Sequence, residues 1–167
     1  MSEAHKVAIW DDTPTDVYFH NRFCKKKIVI NQGGTYSSKT YSIIQNIIDF
    51  AIENPLSIST VTAGTYPQLT QDALRIFKKL ISDKKVGMWF TNAELKRGPY
   101  QLHNGAIIEF AIFDSIGKAR GSKRDLLYIS EANNLPYDIA EQLIKRTEQK
   151  VFIDYNPVTE FWAHEEL

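Results

Sequence analysis

The chain of 167 residues predicts an α/β fold: a mostly parallel central sheet flanked by helices, with an antiparallel hairpin insertion. Three observations carry that prediction. An apolar run, Ile28 to Ile30, gives way to a turn of small residues and then to a helical pattern with Ile43, Ile44, Ile47, Ile48 and Ala51 on one face. Glu53-Asn54-Pro55 stops that helix, and residues 56–62 alternate like a strand, so the segment reads β-α-β and implies a parallel pair joined by a crossover. Two later stretches, 125–130 and 150–153, are apolar in the manner of strands covered on both faces, and polar residues follow each of them.

The totals bound the rest. A chain this long fits one domain and buries roughly 70 per cent of its unfolded surface, enough for a core. Twenty basic and twenty acidic residues cancel, so net charge calls for neither nucleic acid nor membrane. Cys24 is the only cysteine, which excludes an internal disulfide and points to an intracellular, cytosolic protein. No apolar run approaches the length of a membrane span or a signal core.

Residues 1–24 form a lead-in carrying Trp10, Tyr18, Phe19 and Phe23. Aromatic rings at this spacing are expected in the core, the alternative being a ring that stacks on a base. After residue 62, Ala63-Gly64-Thr65-Tyr66-Pro67 turns the chain into a second amphipathic helix with Leu69, Ala73, Leu74, Phe77, Leu80 and Ile81 on one face. Tyr100 to His103 and Ala106 to Phe110, joined by Asn104-Gly105, read as a hairpin beside the parallel sheet. Residues 114–125 form a polar, glycine-punctuated loop with four basic residues. Pro136 fits the first turn of a further helix with Ile139, Leu143 and Ile144 facing inward.

The turn after the first strand carries the chemistry. Gly33, Gly34, Thr35, Tyr36, Ser37 and Ser38 are mostly small, so successive backbone N–H groups can curl around phosphate oxygens, and the helix starting near Lys39 aims its positive end at the same place. Lys39 is positioned to reach β- and γ-phosphates, and the Thr40 hydroxyl to ligate Mg2+. Ser38 stands where the usual pattern has its second glycine, which makes a left-handed backbone there more costly. The strand at 125–130 ends in Ser130-Glu131; Glu131 can polarise a water for in-line attack, and Ser130 stands where an aspartate commonly helps to hold the metal. Asp154 and Asn156, ending the strand near 150, are candidates to sense the γ-phosphate, since open α/β sheets keep ligands at that edge. The histidines show no metal-binding spacing.

Four stretches in this order resemble the ATPase part of the large terminase subunit, the DNA-packaging motor of tailed bacteriophages. They are Gly33-Gly34 to Ser37-Ser38-Lys39-Thr40; Thr65-Tyr66-Pro67; Ala119 to Asp125 running into Tyr128-Ile129-Ser130-Glu131-Ala132-Asn133; and Asp154-Tyr155-Asn156-Pro157. The likeness covers roughly residues 25–160. It implies a P-loop NTPase fold of the additional-strand, catalytic-glutamate (ASCE) type over residues 25–167, with the strand carrying Asp154 between the Ile28 strand and the Leu126 strand. It implies ATP and Mg2+ as cofactors, with Thr40 and Ser130 toward the metal and the loop residues, Lys39 and Asn156 toward the nucleotide. It implies Glu131, Lys39 and Arg120 as catalytic groups, Arg120 acting on a neighbouring subunit's nucleotide and Arg124 standing second for that role.

The implied partners are double-stranded DNA, the portal protein, the small terminase subunit and further copies of the chain in a ring, commonly of five, in the cytoplasm of an infected host. Relatives often have an arginine within the loop, where this chain has Thr35, and continue into a nuclease domain, which this chain does not include. The chain is therefore expected to be the ATPase part, with no nuclease activity. Two alternatives use the same residues: a helicase-like P-loop ATPase, and a non-catalytic nucleotide-binding or assembly module.

Overall fold

The computed structural model describes residues 9–11, 14–34, 38–157 and 160–167. Six strands of the described residues form one sheet in the order β1-β6-β5-β2-β4-β3. They are β1 (Ile28–Gln32), β2 (Ile58–Ala63), β3 (Tyr100–Gln101), β4 (Ile107–Phe110), β5 (Arg124–Ser130) and β6 (Thr147–Tyr155). The helices are α1 (Asp16–Phe23), α2 (Lys39–Glu53), α3, α4 (Lys84–Gly87), α5 (Ile116–Ala119), α6 (Tyr137–Lys145) and α7 (Trp162–Glu165). α3 joins Tyr66–Gln68, a π-helical stretch Leu69–Leu74 and Arg75–Ile81 without a break. This is the α/β, P-loop ASCE arrangement, because β6 is inserted between β1 and β5 and pairs with both in parallel.

Alternation along the strands builds two cores. On one face Val29, Val61, Leu126, Tyr128 and Phe152 pack with Ile43, Ile44, Ile47 and Ile48 of α2 and Phe77 of α3. On the other, Leu127, Ile129, Val151 and Ile153 pack with Ile139, Ala140 and Leu143 of α6. Both sides of β5 and β6 are thus covered over residues 126–129 and 151–153, which is why those segments read as unbroken apolar runs.

The hairpin differs in one respect from the expectation. Its turn is where the sequence places it, with Gly105 at φ 85°, and β3 and β4 are antiparallel. β4, however, pairs in parallel with β2, so the second arm extends the central sheet instead of standing beside it. The turn also docks: the Asn104 amide donates to the carbonyls of Ala51 and Ile52 at 2.9 and 3.0 Å, closing acceptors that the end of α2 leaves open. Leu56 does not belong to β2. It adopts φ 64° in the turn that follows α2, and the strand begins at Ile58.

α2 is buried nearly all round. Its polar side, Ser42, Gln45, Asn46 and Asp49, is as enclosed as its isoleucines. The lead-in covers it by matching polar groups: Thr15 and Ser42 share a hydroxyl bond of 2.7 Å, Asn46 donates to the Tyr18 carbonyl at 3.2 Å, and Asp49 accepts from Tyr18 at 2.5 Å and from Trp10 at 3.3 Å. Trp10 and Tyr18 are core residues and Phe19 packs against the same core, in line with the first reading of the aromatics, whereas Phe23 is 49 % exposed.

Candidate active site

The carboxyl ends of β1, β5 and β6 meet the start of α2. Ser38, just before the helix, has φ 58° and ψ 17°, the left-handed conformation for which a glycine was expected; a side chain there costs about 1–2 kcal/mol. The Lys39 ammonium folds back over the loop, donating to the carbonyls of Gly33 at 2.6 Å and Gly34 at 3.0 Å and to Asn156 Oδ1 at 3.3 Å. Gly33 N–H donates to the Tyr155 carbonyl at 3.3 Å, so the loop is tied to β6. Thr35, Tyr36 and Ser37 lie outside the described residues.

One helical residue on, the Thr40 hydroxyl sits between two carboxylates: Asp72 Oδ2 at 3.1 Å and Asp154 Oδ2 at 3.4 Å. Asp154 is 3 % exposed and also accepts from Tyr128 Oη at 3.0 Å and from the Glu131 N–H at 2.7 Å. Burial pushes its carboxyl up to about 6, against the pull of those donors and of the Lys39 charge. Asp72 comes from the π-helical stretch of α3, a distortion that recurs at functional sites.

Glu131 leaves β5 with φ 49° and ψ 55°, strained for a residue with a side chain. Three contacts hold the turn. Its N–H is bound by Asp154, its carbonyl accepts from Asn134 N–H at 3.0 Å, and Gly64 lets the turn lie against the end of β2, where a Cβ would fall 2.3 Å from the Asn134 oxygen.

Lys39, Thr40, Asp72, Glu131, Asp154, Tyr155 and Asn156 line one open cleft of about 430 Å³, its mouth included. The structure therefore brings together Lys39, Thr40, Glu131 and Asn156 from the sequence-predicted set. Ser130 is buried at 1 % and does not line the cleft. Arg120 is exposed, outside the cleft, with its Nε 3.3 Å from Gln142 Oε1 on α6. Arg124, second for the same role, is 2 % exposed; it donates to Thr60 Oγ1 at 3.1 Å and the Leu143 carbonyl at 3.2 Å. Enclosed at the far end of β5 from Glu131, it is unavailable to another subunit. Asp72 was missed, because nothing in a single amphipathic pattern marks one polar residue as facing α2.

The donors suit Mg2+, a hard cation that takes oxygen ligands and keeps waters and phosphate oxygens around it. Among the described residues no group of three or more His, Cys, Asp or Glu is arranged to hold a metal by itself. Nor is any helix among them long and apolar enough to cross a membrane.

No family model matches the chain, and no curated protein sequence does. Solved structures do. The ATPase domain of the large terminase from Thermus phage P74-26 superposes with TM-score 0.69 at 16 % identity, covering 98 % of this chain and 72 % of that one. The large terminase of a second, thermophilic bacteriophage superposes with TM-score 0.70 at 14 % identity over 93 % of this chain and 41 % of its own. A structure of that second terminase in complex with ATP-γ-S gives TM-score 0.64 at 15 % identity, over 84 % and 36 %. The chain has the fold of phage large-terminase ATPase domains, and it spans about two fifths of the second terminase.

Proposed function

We propose that this chain, with the fold of a phage large-terminase ATPase domain, hydrolyses ATP in a Mg2+-dependent reaction that drives double-stranded viral DNA into a capsid. The observation that carries the reading is the meeting of Lys39 and Glu131 in one cleft at the carboxyl edge of a parallel sheet. In that cleft the Lys39 ammonium, now on the loop carbonyls, exchanges them for phosphate oxygens. The Thr40 hydroxyl, with Asp72 and Asp154 beside it, would hold Mg2+, which would supply charge neutralisation for the phosphates. Glu131 orients and polarises the attacking water. Asn156, bonded to Lys39, links the γ-phosphate position to the chain that follows β6.

Arg120 serves a neighbour's nucleotide. Its exposure and its place outside the cleft of its own chain support that role. A ring of copies on the portal protein, fed by the small terminase subunit, is the assembly in which such an arginine works. The test is ATP turnover with Mg2+ at high protein concentration, for wild type and Glu131→Gln. The variant is expected to lose about a hundredfold or more; equal rates in the two proteins contradict the reading.

A further inference from the structure

We propose that Asp154 performs, from β6, the metal-side duty that an acid at position 130 performs from β5 in other P-loop ATPases, by accepting a hydrogen bond from the Thr40 hydroxyl, and that it also fixes the backbone of Glu131. The inference rests on the ATPase reading above. Ile129 pairs with Ile153 in the parallel ladder, so Ser130 and Asp154 occupy the next rung. Paired residues of parallel strands face the same side, and two residues earlier Tyr128 and Phe152 both face the core under α2. Positions 130 and 154 therefore stand side by side toward the helix that carries Thr40.

Chemistry assigns the work to the longer, charged side chain. A hydroxyl that donates a hydrogen bond to a carboxylate keeps its oxygen lone pairs free for a hard cation. Asp154 Oδ2, 3.4 Å from Thr40 Oγ1, is such an acceptor, while a serine at 130 brings no charge. Through Oδ1, 2.7 Å from the Glu131 N–H, the same carboxylate sets the strained turn that presents the water-polarising side chain. One acid on the neighbouring strand thus spans the metal-side hydroxyl and the glutamate. Asp72 approaches the Thr40 hydroxyl more closely, at 3.1 Å from α3, but among the described residues the hydrogen bond to the Glu131 N–H comes from Asp154. Asp154 is a positioning residue in this scheme.

A carboxylate that only tied β5 to β6 would affect folding and leave metal binding alone, which separates the two roles. The experiment titrates Mn2+, followed by electron paramagnetic resonance, onto protein mixed with ATP-γ-S; nucleotide binding in EDTA and thermal melting are measured alongside. Asp154→Asn is expected to weaken Mn2+ binding by about tenfold or more, with metal-free nucleotide binding little changed. Ser130→Asp combined with Asp154→Asn is expected to recover most of the lost Mn2+ affinity, because the charge returns to the adjacent strand; this second protein also serves if the single variant folds poorly. Unchanged Mn2+ affinity in Asp154→Asn, a loss seen only in Asp72→Asn, or no recovery in the double variant overturns the inference while leaving the ATPase reading intact. A wild type that binds no nucleotide in either condition overturns both.

Discussion

Ser38 shows how a single residue departs from a pattern without abandoning its geometry. The loop keeps the left-handed turn, φ 58°, although the residue that adopts it most easily is missing. Ser38→Gly removes the clash of a Cβ but frees the unfolded chain, two effects of about 1 kcal/mol with opposite sign, so its melting temperature is expected to equal or slightly exceed that of the wild type. Ser38→Val, branched at Cβ, is expected to melt lower, by an amount corresponding to about 1–2 kcal/mol. Calorimetry on the three proteins checks this; a valine variant as stable as the glycine one contradicts the strained turn. Residue by residue, the site was legible where chemistry demands a fixed spacing: Lys39 and Thr40 after small residues, Glu131 at the end of an apolar run. Asp72 and the second role of Asp154 were not, because each depends on which strand or helix lies beside which.

At the scale of elements, the docking of α1 on α2 concentrates charge where the sequence shows only an amphipathic helix. Asp49, 3 % exposed, lies under Trp10 and Tyr18, and burial pushes its carboxyl up to about 7, with Arg22 pulling it down and Glu53 pushing it further up. Arg22 and Glu53 themselves pair across the same two helices. The folded chain therefore keeps a proton on Asp49 that the unfolded chain, with an ordinary value of 3.8, has released. The stability from this group is full below about pH 4 and is lost as pH rises through about 7. Denaturant unfolding from pH 5 to 8 is expected to show wild type losing stability relative to Asp49→Asn, whose amide does not titrate; parallel curves contradict the assignment. The apolar half of α2 could be read from its 3.6-residue period. The burial of its polar half could not, since Ser42, Gln45, Asn46 and Asp49 look like a solvated face until the lead-in is seen to cover them.

For the whole molecule, the sheet order explains why a cleft exists. β6 lies between β1 and β5, so the ends of three parallel strands and the start of α2 converge at one edge, while Arg120 stands elsewhere on the surface. If that arginine completes a neighbour's site, then Arg120→Ala and Glu131→Gln proteins, each slowed on its own, regain turnover when mixed at high concentration, because some interfaces pair an intact arginine with an intact glutamate. A trans arginine contributes about a thousandfold; a mixture no faster than its parts contradicts sharing. The α/β class followed from the order of apolar runs and motifs, and the position of the Asp154 strand only from the resemblance to terminase ATPases; the parallel pairing of β4 with β2 followed from neither, since a hairpin turn says nothing of which arm the sheet adopts. The central claim, that the space between Lys39 and Glu131 takes a nucleoside triphosphate, is tested most directly by calorimetric titration with ATP-γ-S and Mg2+. Binding by wild type and by Glu131→Gln, with its loss in Lys39→Ala, is the predicted result; binding by Lys39→Ala as tight as by wild type would contradict it.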